Sequence, residues 1–308
     1  MSKNKIIVIA GPTASGKSDL ANHLANNINA EIISADSMQI YKGIDIGTGK
    51  ISESERLVKH WGIDICDLDE PFSVAKYQKY ARNCIENIFK RKKNVVICGG
   101  TGFYIRSIID DYNYTKPDCN AYRNRNYWLN YLKEYGSDCL YEKIKELDYE
   151  SAKIIHPNNT IRVIRAIELY YDGLSYAKNK QNLKTIKQIY KAHMFLLSVD
   201  KNTLNKRINK RVDNMIKLGL VEEVKYLKSI GLEDALISKN AIGYKQILNF
   251  LNGNTTLDIA IEEIKLSTRQ YAKRQRSWFR HDKRYKMLEY DNVNIKGAID
   301  KIIQNIEG

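Results

Sequence analysis

Eight consecutive residues of this chain have the types and spacing of a phosphate-binding loop. They run Gly11-Pro12-Thr13-Ala14-Ser15-Gly16-Lys17-Ser18 and fit the pattern G-x-x-x-x-G-K-S. The two glycines allow a tight turn that points successive main-chain N–H groups into one concavity. The Lys17 ammonium would supply positive charge for the phosphates, and the Ser18 hydroxyl would bind Mg²⁺. The loop predicts polyphosphate binding but does not identify the polyphosphate.

Two further polar stretches each follow a predicted strand. Asp36 lies at the carboxyl end of the predicted strand 30–36, where its carboxylate could act as a general base or hold Mg²⁺ through a water molecule. Asp36 or Ser37 could instead cap a helix. Gly99-Gly100-Thr101-Gly102 follows the apolar segment 94–98, which indicates either close main-chain approach to a ligand or a plain turn. Because ligands of open α/β sheets bind at the carboxyl ends of strands, a functional role is favoured for Asp36.

The periodicity of apolar residues predicts the elements that must position these groups. Short apolar runs predict strands over 6–10, 30–36, 60–67, 94–98 and 192–200. Helical spacing predicts helices over 17–27, 72–91 and most of the chain beyond 200. The segment 112–187 has many tyrosines and charges but no apolar strand. We therefore predict an α/β fold, a parallel sheet flanked by helices over 1–111 and 188–308, interrupted by a helical insertion over 112–187.

Composition limits the class of protein. A hydrophobic content of 43% over 308 residues is enough for a large core. No apolar run reaches the roughly 18 residues that span a bilayer, and the first strand leaves no room for a signal peptide. The five cysteines are widely spaced without a C-x-x-C pair, which argues against a disulfide framework or a zinc site. We expect a soluble, cytoplasmic protein with reduced thiols.

The net charge of +14 suggests a polyanionic partner, with nucleic acid as the first candidate and a lysine-rich proteome as the alternative. The distribution of charge favours nucleic acid, because four cations recur at i, i+4, i+7 and i+11 along one predicted helix. These are Arg269, Lys273, Arg276 and Arg280. Aromatic residues lie between them in the sequence, namely Tyr271, Trp278 and Phe279. Their side chains could either pack the helix against the rest of the protein or stack on bases.

Two pairs of arginines also share helix faces. Arg162 and Arg165 lie on one face of a helix that begins at Thr160. Arg207 and Arg211 lie on one face of a helix predicted over 204–217, from which they could reach the phosphate loop. Ion pairing at the surface is the commoner role of such arginines.

Taken together, these motifs resemble those of the tRNA dimethylallyltransferases, also called isopentenyl-tRNA transferases. The matching stretches follow the family's order over nearly the whole chain: Gly11 to Ser18, Asp36-Ser37-Met38-Gln39-Ile40-Tyr41, Gly99 to Gly102, the Arg162–Arg165 helix, Ala241-Ile242-Gly243-Tyr244, and Thr268 to Gln275 with Trp278. The resemblance implies a nucleoside-kinase-like P-loop core with a helical insertion. It also implies transfer of a dimethylallyl group from dimethylallyl diphosphate to N6 of adenosine 37 in tRNA. The sequence has no zinc finger after the basic helix, so we expect a bacterial-type member.

The resemblance also assigns roles to individual residues. Asp36, Lys17, Thr101 and Arg211 would be catalytic, with Asp36 as the base that takes the proton from N6. The diphosphate would be bound by Gly11, Pro12, Thr13, Ala14, Ser15, Gly16, Lys17, Ser18 and Arg207, and Mg²⁺ by Ser18. The tRNA would be bound by Asp36, Ser37, Met38, Gln39, Thr101, Arg123, Arg162, Arg165, Arg269, Lys273, Arg276 and Arg280. We expect Mg²⁺ as cofactor, dimethylallyl diphosphate and a tRNA anticodon stem-loop as partners, no membrane, and a monomer.

Three alternative functions remain open at the level of sequence. A P-loop kinase or NTPase would use ATP, but the sequence offers no clear second Mg²⁺ carboxylate or arginine-rich lid, and the basic stripe would be unexplained. A non-catalytic RNA-binding protein would have no use for Lys17 and Asp36. A prenyltransferase acting on free adenylate would share the phosphate loop but would not need the basic stripe.

Overall fold

The computed structural model describes residues 4–112, 121–182, 187–235, 237–290 and 294–307, and excludes the side chains of residues 121–124 and 182. Contacts divide the chain into two compact units. The larger unit comprises Met1–Ile109 and Ile189–Gly308, and the smaller unit is Asp110–Gln188. The predicted insertion, 112–187, lies within the limits of the smaller unit.

The larger unit is built on a six-stranded sheet in which every pair of neighbouring strands is parallel. Its strands are β1 (Ile6–Ala10), β2 (Ala30–Ser34), β3 (His60–Trp61), β4 (Asn94–Gly99), β5 (Ala192–Ser198) and β6 (Lys286–Glu289). Their order across the sheet is β3-β2-β4-β1-β5-β6. The predicted α/β fold, a parallel sheet flanked by helices, is confirmed.

Helices are distributed over both units. The α-helices described before the smaller unit are α1 (Lys17–Asn27), α2 (Val74–Lys90) and α3 (Gly102–Ile109). The smaller unit contains α4 (Ala121–Leu147), α5 (Tyr149–Ile154), α6 (Thr160–Tyr171) and α7 (Tyr176–Asn182). Those described after it, in the larger unit, are α8 (Lys201–Lys217), α9 (Leu220–Ser229), α10 (Tyr244–Leu251), α11 (Leu257–Arg280) and α12 (Ile295–Glu307). None of the helices in the described part of the chain is long and apolar enough to cross a membrane.

The central strand β1 is buried along its whole length because helices cover both faces of the sheet. Its alternate residues enter two different core layers. Val8 packs in one layer with Ile85 of α2, and Ile9 packs in the other with Leu20 of α1. A strand buried on both faces has an unbroken apolar sequence, which is why β1 could be recognised from sequence.

One strand prediction was wrong in its extent, and one strand was missed. The strand predicted over 60–67 ends at Trp61, because Gly62 and Asp64 both adopt positive φ angles, +80° and +56°, and turn the chain away. The edge strand β6 was not predicted. It has four residues, of which only Leu288 is buried, so it lacks an apolar run.

The smaller unit has its own apolar core, in which Trp128 and Leu140 of α4 pack with Val163 and Ile164 of α6. Helix α4 bends at Gly136, whose φ of +82° lies in the region that glycine adopts readily. The cysteines that the structure describes, Cys66, Cys84, Cys98 and Cys139, are free thiols.

Candidate functional site

The carboxyl ends of β1, β2 and β4 bring the predicted site residues to one edge of the sheet. The register pairs Ala10 with Gly99 and Ser34 with Cys98, so the segments after the three strands leave the sheet side by side. A cavity of about 300 Å³ opens there. Its lining includes Thr13, Lys17, Ser18, Asp36, Ser37, Met38, Gln39, Gly99 and Arg211. The sheet therefore gathers residues from several motifs that are far apart in the sequence.

The phosphate loop turns at Gly16 as predicted, but its other positive φ angle is at Ala14 and not at Gly11. Ala14 and Gly16 adopt positive φ angles of +60° and +85°, and α1 begins directly at Lys17. The Lys17 ammonium donates a hydrogen bond of 3.2 Å to the carbonyl of Pro12. Burial lowers the pKa of Lys17, while Asp36 acts in the opposite direction. A positive charge and the free N–H groups of a helix N-terminus thus face one cavity, which is suited to an anion.

The turn that carries Asp36 is fixed against the end of β4. Asp36 Oδ1 accepts a hydrogen bond of 2.9 Å from the Met38 N–H, and Thr101 Oγ1 accepts one of 3.1 Å from the Ser37 N–H. The Thr101 N–H donates to the Ala35 carbonyl at 3.1 Å. At Gly99 an added Cβ would lie 2.1 Å from that same carbonyl oxygen, so only glycine allows this approach. Thr101 therefore holds the turn that carries Asp36.

Gln39, predicted to contact tRNA, has both ends of its side-chain amide engaged within the protein. Its Oε1 accepts from the Ser34 hydroxyl at 2.9 Å. Its Nε2 donates to the carbonyls of Thr48 and Gly49 at 3.3 and 3.4 Å. The amide of Gln39 therefore connects β2 to the loop that contains Thr48.

Arg211 reaches the cavity from α8, whereas Arg207 is absent from the cavity lining as far as the described residues show. The Arg211 Nη2 donates a hydrogen bond of 3.1 Å to the Thr48 carbonyl. Burial lowers the pKa of Arg211, and the Asp36 carboxylate opposes that shift. Of the predicted pair, Arg211 is thus the arginine that lines the candidate site.

Helix α11 contributes side chains to the cavity that the sequence analysis did not assign to it. The buried Gln275 accepts from the Thr13 N–H at 2.8 Å and donates to the Gly100 carbonyl at 3.0 Å, so it ties the phosphate loop to the turn after β4. Burial raises the pKa of Tyr271 to about 12, and the nearby Asp36 carboxylate adds to the shift. The i, i+4 spacing of Tyr271 and Gln275 could have indicated from sequence that they share a helix face. Neither a tyrosine nor a glutamine by itself indicates a chemical role.

The predicted basic stripe on α11 does not share the face that lines the cavity. At about 100° of rotation per residue, Arg269, Lys273, Arg276 and Arg280 lie roughly half a turn around the helix from Tyr271 and Gln275. Lys273 and Arg280 are exposed, and Arg269 donates to Asn209 Oδ1 at 2.7 Å. Of the interleaved aromatic residues, Phe279 is buried in the core, whereas Trp278 is 45% exposed.

In the smaller unit, the predicted tRNA-contacting arginines differ from one another. Arg162 is exposed. Arg165 forms a salt bridge of 3.1 Å with the buried carboxylate of Glu168, which also pairs with Arg125 at 3.0 Å. Arg123 lies at the start of α4, and its side chain is outside the described residues.

Much of the rest of the cavity wall is apolar, and its polar members include His60, Asn240 and Arg274. Its apolar side chains include Ile32, Ile51, Ile63, Val212, Met215, Ile242 and Ile264. Ser18 and Asp36 are oxygen donors on the same cavity, the ligand type that Mg²⁺ prefers. Among the described residues, no three His, Cys, Asp or Glu side chains form a metal-binding group, so a cation here would depend on these two donors and on ligand oxygens. The cavity thus joins an anion-binding end to an apolar wall.

Comparisons with known proteins agree with this geometry. Residues 39–282 match the family model described as IPP transferase. The chain is 45% identical over 307 residues to a tRNA dimethylallyltransferase of Clostridioides difficile, covering 99% of this chain and 97% of the relative. It is 42% identical over 305 residues to a protein of the same name from Alkaliphilus oremlandii, covering 99% of this chain and 96% of that protein.

Solved structures give the same result. A tRNA isopentenylpyrophosphate transferase from Staphylococcus epidermidis superposes with a TM-score of 0.73 at 38% identity, over 99% of both chains. A eukaryotic dimethylallyltransferase acting on tRNA superposes with a TM-score of 0.79 at 28% identity, over 97% of this chain and 78% of its own. With nearly full-length similarity in both sequence and fold, this chain belongs to the tRNA dimethylallyltransferase family.

Proposed function

We propose that this enzyme transfers the dimethylallyl group of dimethylallyl diphosphate to N6 of adenosine 37, next to the tRNA anticodon, and releases diphosphate. The observation that carries the proposal is that one cavity combines a phosphate loop, a carboxylate and an apolar wall. A kinase shares the first two, and the apolar wall could enclose either a purine or a prenyl group. The names of the relatives favour transfer to tRNA over phosphoryl transfer and over a free adenylate acceptor.

The cationic end of the cavity would stabilise the leaving group. Breaking the allylic carbon–oxygen bond places negative charge on the departing diphosphate. Lys17, the phosphate loop and Arg211 line the cavity in which that charge would develop. Ser18 would hold Mg²⁺, and the ion would neutralise diphosphate charge when bound.

Asp36 would act on the nucleophile. The exocyclic N6 of adenine is a weak nucleophile because its lone pair is delocalised into the ring. A carboxylate that orients the amino group and takes its proton as the carbon–nitrogen bond forms would overcome this weakness. Thr101 supports this role by fixing the Ser37 N–H, and with it the turn that presents Asp36.

The apolar wall would enclose the five-carbon group. Val212, Met215 and Ile264 line the cavity that Arg211 also lines. Apolar packing there would bind the prenyl chain and exclude water that would otherwise hydrolyse the activated allylic carbon. An ATP-dependent enzyme would place a ribose and a purine in this space instead.

The tRNA would contact the protein mainly through its anticodon stem-loop. Single-stranded loops are the RNA elements whose bases can be extruded, and adenosine 37 must leave its stack to reach an enclosed diphosphate. The exposed Lys273, Arg280 and Arg162 would contact phosphates, and Trp278 offers a stacking surface. We further propose that the enzyme acts as a cytoplasmic monomer, and the free cysteines support a reducing compartment.

The test is incubation with unmodified tRNA, Mg²⁺ and radiolabelled dimethylallyl diphosphate, beside Asp36→Ala and the exposed control Asp69→Ala. We expect label at an anticodon-loop adenosine, a rate about 10²–10⁴-fold lower for Asp36→Ala, and little change for Asp69→Ala. Label in free AMP but not in tRNA would indicate an adenylate prenyltransferase. ATP hydrolysis without any prenyl transfer would overturn the proposal.

A further inference from the structure

Arg211 is held in the cavity by the main chain of the loop at 45–50. The Thr48 carbonyl accepts a hydrogen bond of 3.1 Å from Arg211 Nη2. Gly49 has a φ of +62°, and an added Cβ there would lie 2.2 Å from the same nitrogen. The main chain of the loop therefore packs directly on the guanidinium, and any movement of Thr48 or Gly49 moves the hydrogen-bond acceptor that orients it.

The middle of this loop is fixed from outside the cavity by two side chains. Glu223 of α9 accepts from the Ile46 N–H at 2.9 Å, and Tyr244 of α10 accepts from the Gly47 N–H at 3.1 Å. The Tyr244 hydroxyl in turn donates to Glu223 Oε1 at 2.5 Å. Two successive N–H groups of the loop are thus bound by one connected carboxylate–phenol pair.

Tyr244 is well suited to this role. Its side chain is completely buried, and burial together with the Glu223 carboxylate raises its pKa well above the usual value for tyrosine. The hydroxyl therefore stays protonated and remains a donor to Glu223. Its ring also fixes the approach of the loop, because a Cβ at Gly47 would lie 2.4 Å from a ring carbon.

The ends of the loop are held separately. The Lys50 side chain is only 5% exposed, and its ammonium donates to the Tyr41 carbonyl at 2.6 Å and to Asp45 at 2.6 Å. Thr48 itself is held by Gln39, which donates to its carbonyl at 3.3 Å, and its position also depends on what holds the two residues before it. Those residues are Ile46 and Gly47, which Glu223 and Tyr244 bind.

From these contacts we propose that Glu223 and Tyr244 are positioning residues that set the Arg211 guanidinium for diphosphate through the main chain of the 45–50 loop. Neither side chain is among the described residues that line the cavity, so both would act through Arg211. The proposal rests on the proposed function insofar as Arg211 binds the diphosphate.

The test is a double-substitution cycle read out as the affinity of the intact protein for inorganic diphosphate with Mg²⁺, measured by calorimetry. The substitutions are Tyr244→Phe and Glu223→Gln, each alone and combined with Arg211→Met. The matched controls are Glu222→Gln, the exposed neighbouring acid on α9, and Tyr226→Phe, an exposed tyrosine on the same helix.

We expect each positioning substitution to weaken diphosphate binding about tenfold when Arg211 is present, since small misplacements of a binding group are costly. In the Arg211→Met background the same substitution should change the affinity less than about twofold, because residues that act through one group are not additive. The controls should stay within about twofold of the unsubstituted protein.

A full tenfold loss in the Arg211→Met background would overturn the proposal, as would equal effects of Glu223→Gln and Glu222→Gln. Thermal unfolding of each variant separates a folding defect from a positioning defect. If Glu223→Gln does not fold, Tyr244→Phe still tests the proposal, because it keeps the buried aromatic ring. The assay needs no prenyl acceptor. A wild-type protein that failed to modify tRNA but kept this coupling would therefore refute the proposed function and not the positioning role.

Discussion

Strand β2 has a carboxylate near each end, and the two carboxylates differ in their burial and in their hydrogen-bond donors. Glu31, at the start of the strand, is 1% exposed and accepts hydrogen bonds from Arg91, from Lys93 at 3.1 Å and from Trp61 at 2.9 Å. Burial disfavours its ionisation, but these donors outweigh burial and lower the pKa of Glu31 to about 2. Asp36, just beyond the other end, is half-buried and accepts from the Met38 N–H.

The basic side chains near these two carboxylates differ in the same way. Arg91 and Lys93 form salt bridges to Glu31, so their charges are balanced within the protein. Lys17 and Arg211 instead donate to the carbonyls of Pro12 and Thr48, which are neutral acceptors. Charges balanced internally stabilise a fold, whereas charges held by neutral acceptors in a cavity remain able to bind an ionic ligand. The comparison predicts which substitutions affect activity and which affect stability.

The largest effect should come from removing a cavity charge. We expect Lys17→Met to weaken the affinity for inorganic diphosphate by about 10²–10³-fold and to lower the transfer rate at least as much, because a desolvated cation facing the phosphates is lost. The free energy of unfolding should not fall, since the substitution also removes a partly desolvated charge. Calorimetry and urea unfolding measure the two quantities, with the exposed Lys79→Met as control. A loss below threefold would remove Lys17 from the binding site.

Glu31→Gln should lower stability and leave activity nearly unchanged, the reverse of Lys17→Met. We expect the free energy of unfolding at pH 7 to fall by about 2–3 kcal/mol, because the variant leaves Arg91 and Lys93 without their carboxylate. The transfer rate of the folded variant should stay within about twofold of wild type. Urea unfolding and the label-transfer assay measure these two outcomes.

The pH dependence of stability gives a second check on Glu31. A carboxylate with a lowered pKa in the folded state stabilises the protein fully above its unfolded pKa, and this contribution is lost as the pH falls toward about 2. The stability difference between wild type and Glu31→Gln should therefore shrink between pH 5 and pH 2 (about the window set by the two pKa values). A constant difference across that range would contradict the assignment of the shift to Glu31.

The smallest effect is the pH dependence that Lys17 gives to ligand binding. Because its pKa is lowered in the folded protein, Lys17 loses its proton at a lower pH than an exposed lysine does. Diphosphate affinity should fall by up to about tenfold per pH unit once the pH passes that lowered pKa. The free energy of unfolding should instead rise with pH above that lowered pKa, because Lys17 keeps its proton in the unfolded state and loses it in the folded state.

Calorimetry over an alkaline pH series measures the affinity for diphosphate. Lys17→Met serves as the reference: it lacks the titrating lysine, while the diphosphate ligand ionises in the same way in both measurements. If both proteins lost affinity in parallel, the dependence would arise elsewhere than at Lys17.

The sequence was most informative where structure depends on local patterns. The limits of β1 and α1, and the turn at Gly16, follow from an apolar run and from the loop motif that joins them. It was less informative for β6, whose single buried residue gives no pattern, and for the chain after Trp61, which turns at Gly62 and Asp64.

Within the site, the residue types that have chemistry of their own were recognisable, and their supports were not. Asp36 and Arg211 were assigned from the family resemblance, from the place of Asp36 at the end of a predicted strand, and from a helix face that could bring Arg211 to the phosphate loop. Gln275 and Glu223 were missed because each acts by bonding main-chain groups far away in sequence, at Thr13 and at Ile46. No spacing rule connects such residues until the fold brings them together.

The interrupted larger unit affects how the protein is made. Strand β1 lies between β4 and β5, and residues 110–188 separate these two neighbours along the chain. Because synthesis runs from the amino terminus, β1 can pair with β4 early but must wait for β5 until the whole smaller unit has left the ribosome. During that interval one edge of an apolar strand is unpaired, a state prone to aggregation. The phosphate loop is thus synthesised before the smaller unit, whereas β5 and β6, which complete the sheet beneath the loop, are synthesised after it.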